Sequence, residues 1–290
     1  MTTSEISATA SGTFVLGGDL TVQRLGFGTM QLPGPGVWGE PRDRGEAIRV
    51  LRRAVELGVD LFDTADAYGP FVAEDLLREA LYPYEGITIA TKGGLVRTGP
   101  GQWYPVGRPE YLRQCVEMSL RRLDVETIDL YQLHRTDPQV PLDDQVGALA
   151  DLRSAGKIRL IGLSEVDVDQ IRAGRQITEI ASVQNRYNLV DRTAEPVLEY
   201  CEQERLGFIP WFPLANRELA ESDGPLAALA AETSATPTQL ALAWLLWRSP
   251  VILPIPGTRS LEHLEENVGA AALQLTDEQA RHLEEAGDKR

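Results

Sequence analysis

The stretch Val59-Asp60-Leu61-Phe62-Asp63-Thr64-Ala65-Asp66-Ala67-Tyr68-Gly69 decides how this chain is read. Its first half is apolar, β-branched and aromatic, the composition of a short buried strand. Its second half is polar and turn-like and closes at a glycine. Asp63 and Tyr68 therefore sit at or just past the carboxyl end of a strand, where α/β folds collect their chemistry.

Three later stretches repeat this form. Ile87-Thr88-Ile89-Ala90-Thr91-Lys92 ends in lysine, and Ile128-Asp129-Leu130-Tyr131-Gln132-Leu133-His134 ends in histidine. Ala181-Ser182-Val183-Gln184-Asn185 ends in amides. Taken singly, each has an ordinary explanation. A strand-end aspartate caps a helix or anchors a loop, a strand-end lysine is solvated, and a lone histidine packs against its neighbours. Strands that deliver Asp, Lys, His and Gln in chain order, with Tyr68 beside the first, are much harder to ascribe to chance.

Outward from this core the chain alternates. A β-hairpin is expected over 13–22, around Gly17-Gly18-Asp19, after a disordered segment 1–12. A first short strand is expected over 24–28. Helical stripes then alternate with the strands above and with strands at 158–163, 207–211 and 251–253. The Gly/Pro-rich segment 93–108 is expected to be a long loop, and Trp244 and Trp247 to be core residues of a late apolar helix. Eight strand–helix units without a linker predict one (β/α)8 TIM barrel domain over 13–290, preceded by the hairpin. An open Rossmann-type sheet would need Gly-x-Gly-x-x-Gly after its first strand. Gly26-Phe27-Gly28 is instead followed by Gln31 where the third glycine belongs.

Composition narrows the class further. The 290 residues are 43% apolar, and the formal charge of −15 argues against nucleic acid or an anionic membrane as the main partner. Cys115 and Cys201 lie in helical stretches without Cys-x-x-Cys spacing and are expected to be small packing residues. The opening residues lack the pattern of a signal peptide, and the longest apolar helical run, 240–247, is too short to span a bilayer. A cytoplasmic protein, monomeric or weakly homo-oligomeric, is the expectation.

The residues also suggest a reaction. A tyrosine titrates near ~10, too high for ready acid–base work at neutral pH. A lysine ammonium about 4 Å away is worth roughly 4 kcal/mol at an effective dielectric of ~20, about three pK units at most. Lys92 beside Tyr68 is thus expected to bring the phenol toward neutrality, with Asp63 holding the ammonium and His134 orienting the substrate oxygen. Such a group protonates a polarised carbonyl. It lacks an electron source, so a hydride donor must bind. Ser164 and Gln184 offer hydrogen bonds suited to a carboxamide, and Trp211 offers a flat ring for stacking. Ile255-Pro256-Gly257-Thr258-Arg259-Ser260 feeds a helix N-terminus, a ready anion site to which Arg259 adds a planar fork. Trp38, Trp103 and Tyr104 lie in loops where they would either wall a substrate pocket or pin their loops. The chain has three histidines and no His-x-His pair, too few imidazoles for a usual zinc site, so no metal is expected.

Asp63, Tyr68, Lys92 and His134, in the contexts LFDTADAYG, IATKGG and DLYQLHR, resemble the catalytic tetrad of the aldo-keto reductases. The resemblance runs through nearly the whole chain. It implies NADP(H)-dependent reduction of a small-molecule aldehyde or ketone, with Tyr68 as proton donor. It implies that Ser164 and Gln184 hold the nicotinamide carboxamide, from whose amine Glu165 can accept although it cannot donate to the carbonyl, that Trp211 stacks on the ring, and that Phe212, Pro213 and Leu214 line the pyrophosphate. Gly257, Thr258, Arg259, His263, Glu266 and Asn267 would meet the adenosine 2′-phosphate and adenine, with Ile255 and Pro256 leading in. Gly28, Thr29, Met30 and Asp63 would complete the cofactor site. The chain departs from the family pattern at Ser164-Glu165, where many members read Ser-Asn, and at Trp211-Phe212, where Tyr-Ser is more usual. Channel-associated β subunits also resemble this family, so a non-catalytic cofactor-binding regulatory subunit is the alternative.

Overall fold

The computed structural model describes residues 6–214 and 226–288. The hairpin β1 (Thr13–Leu16) and β2 (Leu20–Gln23) is followed by β3 (Phe27–Gly28), α1 (Arg44–Glu56), β4 (Leu61–Asp63) and α2 (Val72–Leu81). Next come β5 (Thr88–Gly93), β6 (Leu95–Gly99), β7 (Gln102–Pro105), α3 (Pro109–Leu123), β8 (Ile128–Leu133) and α4 (Leu142–Ser154). The second half carries β9 (Ile158–Ser164), α5 (Val168–Ile177), β10 (Ser182–Gln184), α6 (Glu195–Glu204) and β11 (Gly207–Phe208). Four helices end the described chain: α7 (Leu226–Thr233), α8 (Pro237–Arg248), α9 (Leu261–Gly269) and α10 (Asp277–Asp288).

Seven strands form one parallel sheet in the order β11-β10-β9-β8-β5-β4-β3. The eighth stave, expected over 251–253, is reduced to one parallel bridge between Phe208 and Ile252. Pro254 and Pro256 have no N–H to give a ladder, which keeps this stave short. Closure onto the first stave comes from Gly26 N–H donating to Pro254 O at 3.0 Å. The fold is a (β/α)8 barrel with an N-terminal hairpin.

Strand alternation sorts the core into two shells. Phe62, Ile89, Tyr131, Ile161, Val183 and Phe208 face outward and pack with the helices. Leu61, Ala90, Leu130, Leu160, Ile209 and Leu253 face inward and fill the barrel, where the hairpin residues Leu16 and Val22 join them. The interior is therefore packed rather than open. The next inward positions along the same strands, Asp63, Lys92 and Gln132, emerge above this plug.

Three expectations are corrected. Residues 6–12 are ordered: Ala8–Ser11 is a 3-10 turn, Ala8 N–H donates to Leu57 O at 2.7 Å, and Ser11 Oγ accepts from Leu25 N–H at 3.0 Å. Its polar groups are satisfied by the barrel, which a polar composition alone does not reveal; residues 1–5 lie outside the described residues. The segment 93–108 is not a plain loop, because β6 and β7 pair as an antiparallel hairpin, with Val96 opposite Tyr104. Trp244 is buried and stacks on Tyr187, but Trp247 is 37% exposed and donates to Asp277 Oδ1 at 3.2 Å. Among the described residues, no helix is long and apolar enough to cross a membrane.

Candidate active site

The loop after β4 is stitched to β5 by backbone alone. Thr64 N–H donates to Ala90 O at 2.7 Å and Asp66 N–H to Lys92 O at 3.1 Å, prolonging the parallel ladder past the strand end. Gly69 closes the loop at a φ of 108°, where a side chain would also strike Val72. This sets the Tyr68 ring over the barrel mouth.

Lys92 is fully buried, and each of its three donors has a partner: Asp63 Oδ1 at 2.6 Å, Thr64 O at 2.8 Å and Tyr68 Oη at 3.3 Å. The other oxygen of Asp63 accepts from Gln184 Nε2 at 2.8 Å and Gln132 Nε2 at 3.2 Å. The ammonium is thereby held between a carboxylate and a phenol. Burial alone would lower its pKa, but Asp63 and the phenol hold it above the usual lysine value.

The phenol does not move as the spacing predicts. Burial, the largest cause, pushes Tyr68 above the ordinary tyrosine value; Lys92 pulls it down, and Asp63 offsets part of that pull. Desolvation of a fully buried phenolate outweighs one shared ammonium. Tyr68 is protonated at neutral pH, and Lys92 makes it a better acid than burial alone would leave it.

His134 follows β8 and is neutral. Burial, then Lys92, Arg135 and Arg97, push its pKa well below the usual imidazole value. Its Nδ1 is buried with no hydrogen-bond partner among the described residues. Its ring stands edge-on to Tyr68 at 5.8 Å and to Trp103 at 6.4 Å. A neutral imidazole whose buried nitrogen lacks a partner beside a phenol can orient a substrate oxygen without adding charge.

Of the predicted wall residues, Trp103 lies edge-on to Tyr68 at 6.4 Å, and its face is covered by the Arg97 guanidinium at 3.5 Å. Arg97 also lies over Trp38 and donates to carbonyls of Gly36, Val37, Ala67 and Gln102. It ties three loops around the mouth, a role missed from sequence because its carbonyl partners Gly36, Val37 and Ala67 are distant along the chain. Tyr104 is 52% exposed and, next to Trp103 on one strand, faces the opposite way, so the structure does not bring it to the site.

A cavity of about 910 Å³ opens at Tyr68 and Asp63. Gly28, Met30, Gln184, Trp211, Phe212, Pro213 and Leu214 line it, followed by Ile255, Pro256, Gly257 and Thr258 and by His263, Glu266 and Asn267 at α9. Gln31 and Thr238 also line it and were not anticipated. Four of the predicted cofactor residues stand outside the lining. Thr29 is buried and donates to Thr64 Oγ1 at 2.9 Å. Ser164 accepts from Arg135 Nη1 at 3.1 Å, and Glu165 accepts from the Trp211 indole at 2.5 Å. Arg259 is exposed, between the lining Thr258 and Ser260, which caps α9. Gln132 was also missed, although its place two residues before His134 puts it on the same strand face.

The arrangement has known counterparts. The model of the Aldo/keto reductase family matches residues 24–288. An uncharacterised oxidoreductase of Schizosaccharomyces pombe is 53% identical over 284 residues, which is 98% of this chain and 92% of that protein. Pyridoxine 4-dehydrogenase of Escherichia coli is 43% identical over 276 residues, 93% of this chain and 96% of that protein. The crystal structure of an aldo-keto reductase from Klebsiella pneumoniae in complex with NADPH matches with a TM-score of 0.81 at 26% identity, covering 94% of each chain. A match of this extent, on a barrel whose mouth holds the tyrosine, lysine, aspartate and histidine, settles kinship: the chain belongs to the aldo/keto reductase family of oxidoreductases.

Proposed function

We propose that this protein is an NADP(H)-dependent reductase of aldehydes or ketones in which Tyr68 gives its proton to the carbonyl oxygen. The observation that carries this is the chain Asp63–Lys92–Tyr68, at 2.6 and 3.3 Å, ending in a protonated phenol at the mouth of a large cavity. Lys92 stabilises the phenolate left behind, Asp63 fixes Lys92, and neutral His134 orients the carbonyl. Trp103 and Tyr68 exclude water beside the reacting oxygen.

The residues fit NADP(H). The cavity runs from the Tyr68 phenol, past the indole of Trp211, to backbone N–H groups where α9 begins. Ser164, Gln184 and Trp211 would hold the nicotinamide end, Phe212 to Leu214 the pyrophosphate, and Gly257 to Arg259 with His263, Glu266 and Asn267 the phosphorylated adenosine. When bound, the cofactor supplies the hydride to the carbonyl carbon. The aromatic wall of Trp103, together with the pyridoxine 4-dehydrogenase relative, favours a flat aromatic aldehyde such as pyridoxal as substrate.

A panel of pyridoxal, benzaldehydes and sugar-derived carbonyls, each followed by NADPH consumption, tests this. Turnover is expected to be best with the aromatic aldehydes. NADPH binding without turnover of any carbonyl would refute the reductase reading and favour a regulatory subunit.

A further inference from the structure

Glu165, which stands outside the cavity lining and holds the lining residue Trp211, poses a problem of hydrogen-bond supply for a nicotinamide carboxamide. A primary carboxamide offers two N–H donors and one carbonyl oxygen, so its site needs acceptors and at least one donor. Gln184 Nε2 is turned to Asp63 Oδ2 at 2.8 Å and to Gln132 Oε1 at 3.4 Å, which leaves its Oε1 as an acceptor. The neighbouring amide, Asn185, is engaged at both ends by the Val166 backbone. Glu165 has only acceptors. Its Oε1 takes the Trp211 indole N–H at 2.5 Å and the Arg186 backbone N–H at 2.7 Å, from a left-handed backbone with φ 55°. Glu165 therefore anchors the Trp211 ring and has no donor for a carbonyl.

The donor comes from an unexpected place. Arg135, directly after His134, gives Nη1 to His134 O at 2.7 Å and to Ser164 Oγ at 3.1 Å. Its Cζ lies 5.8 Å from the Trp211 ring centroid. No carboxylate is within ion-pair distance of it among the described residues, and no hydrogen bond there takes Nε or Nη2. By accepting from Arg135, Ser164 Oγ is left to donate its own proton. Of the other arginines near the mouth, Arg97 is spent on loop carbonyls, and Arg186, 5.9 Å from the Trp211 centroid, pairs with Asp191 Oδ2 at 2.8 Å.

We propose that Arg135 is a cofactor-binding residue whose guanidinium, together with the Ser164 hydroxyl that it orients, donates to the carboxamide oxygen of the nicotinamide, while Glu165 positions Trp211. The proposal rests on the NADP(H) reading above. It explains how a chain with glutamate at 165 still satisfies a carbonyl oxygen: the donor has moved from just past β9 to the second residue past β8.

Calorimetric titration of Arg135→Met with NADPH and with 2′-phospho-ADP-ribose, which lacks the nicotinamide, tests this. NADPH is the better probe because its ring is neutral, so a loss of affinity reports the hydrogen bond and not charge repulsion. Loss of a charge-assisted hydrogen bond is expected to raise the NADPH Kd about 10- to 100-fold and to leave the analogue within about twofold. An unchanged NADPH Kd overturns the proposal, and so does equal weakening of both ligands. A loss confined to the KM of a carboxylate-bearing aldehyde would assign the guanidinium to substrate instead. Failure of the unaltered protein to bind NADPH would overturn the cofactor reading itself.

Discussion

Replacing Lys92 by methionine removes a charge 3.3 Å from the Tyr68 oxygen and leaves a side chain of similar length. At an effective dielectric of about 20, that charge favours the phenolate by roughly 5 kcal/mol, equivalent to between three and four pK units. Water admitted beside Asp63, which loses the cation 2.6 Å away, would screen part of that shift. The phenol thus becomes a weaker acid by roughly two to four units. A weaker acid gives its proton less readily in reduction, and its phenolate is scarcer in oxidation. The equilibrium between aldehyde and alcohol is fixed by the reactants, so kcat/KM must fall by one common factor in both directions. For a Brønsted slope near one half, that factor is about 10- to 100-fold. The assay is kcat/KM for aldehyde reduction with NADPH and for oxidation of the matching alcohol with NADP+ at one pH, with NADPH affinity measured alongside. Rates within about threefold of the unaltered protein, at unchanged affinity, would refute the role given to the ammonium.

Two further outcomes are expected. Asp66 is buried with Oδ1 unpartnered, and burial, followed by the charge of Glu74, pushes its carboxyl up to about 7. Its folded pKa exceeds its unfolded one, so its stabilising contribution is present below about pH 4 and lost as pH rises through about 7. Asp66→Asn should therefore raise urea resistance at pH 8 by up to about 4 kcal/mol and have little effect near pH 4; equal gains at both would sink the assignment. Gly162 lets β9 lie against its neighbours, because a Cβ there would meet Ser182 Oγ at 2.4 Å and Gln132 Cγ at 2.8 Å. Gly162→Ala is expected to cost about 1–3 kcal/mol in denaturant unfolding, and unchanged stability would contradict the packing described.

Much of the site was legible because strand alternation is rigid. Asp63 and Lys92 each lie two residues above an inward apolar residue, Leu61 and Ala90, so the same period that buries the plug aims the polar pair. What escaped depends on partners distant in sequence. Nothing in the sequence singles out Arg97 or Arg135, because the carbonyls, Ser164 and Trp211 around them are brought there by the fold. The β6–β7 hairpin was hidden by Gly99-Pro100-Gly101, which reads as loop although it serves as the turn. The direction of the Tyr68 shift was misjudged because a pairwise charge can be guessed from spacing, whereas the depth of burial opposing it cannot.

The phenol is the group on which everything else converges, and Tyr68→Phe removes its oxygen while keeping the ring beside His134 and Trp103. Single-turnover reduction of an aldehyde by the NADPH-loaded variant is the measurement. The expected result is NADPH affinity within about twofold of the unaltered protein and a rate at least about 100-fold lower. Reduction at an unchanged rate would contradict the assignment of Tyr68 as the proton donor.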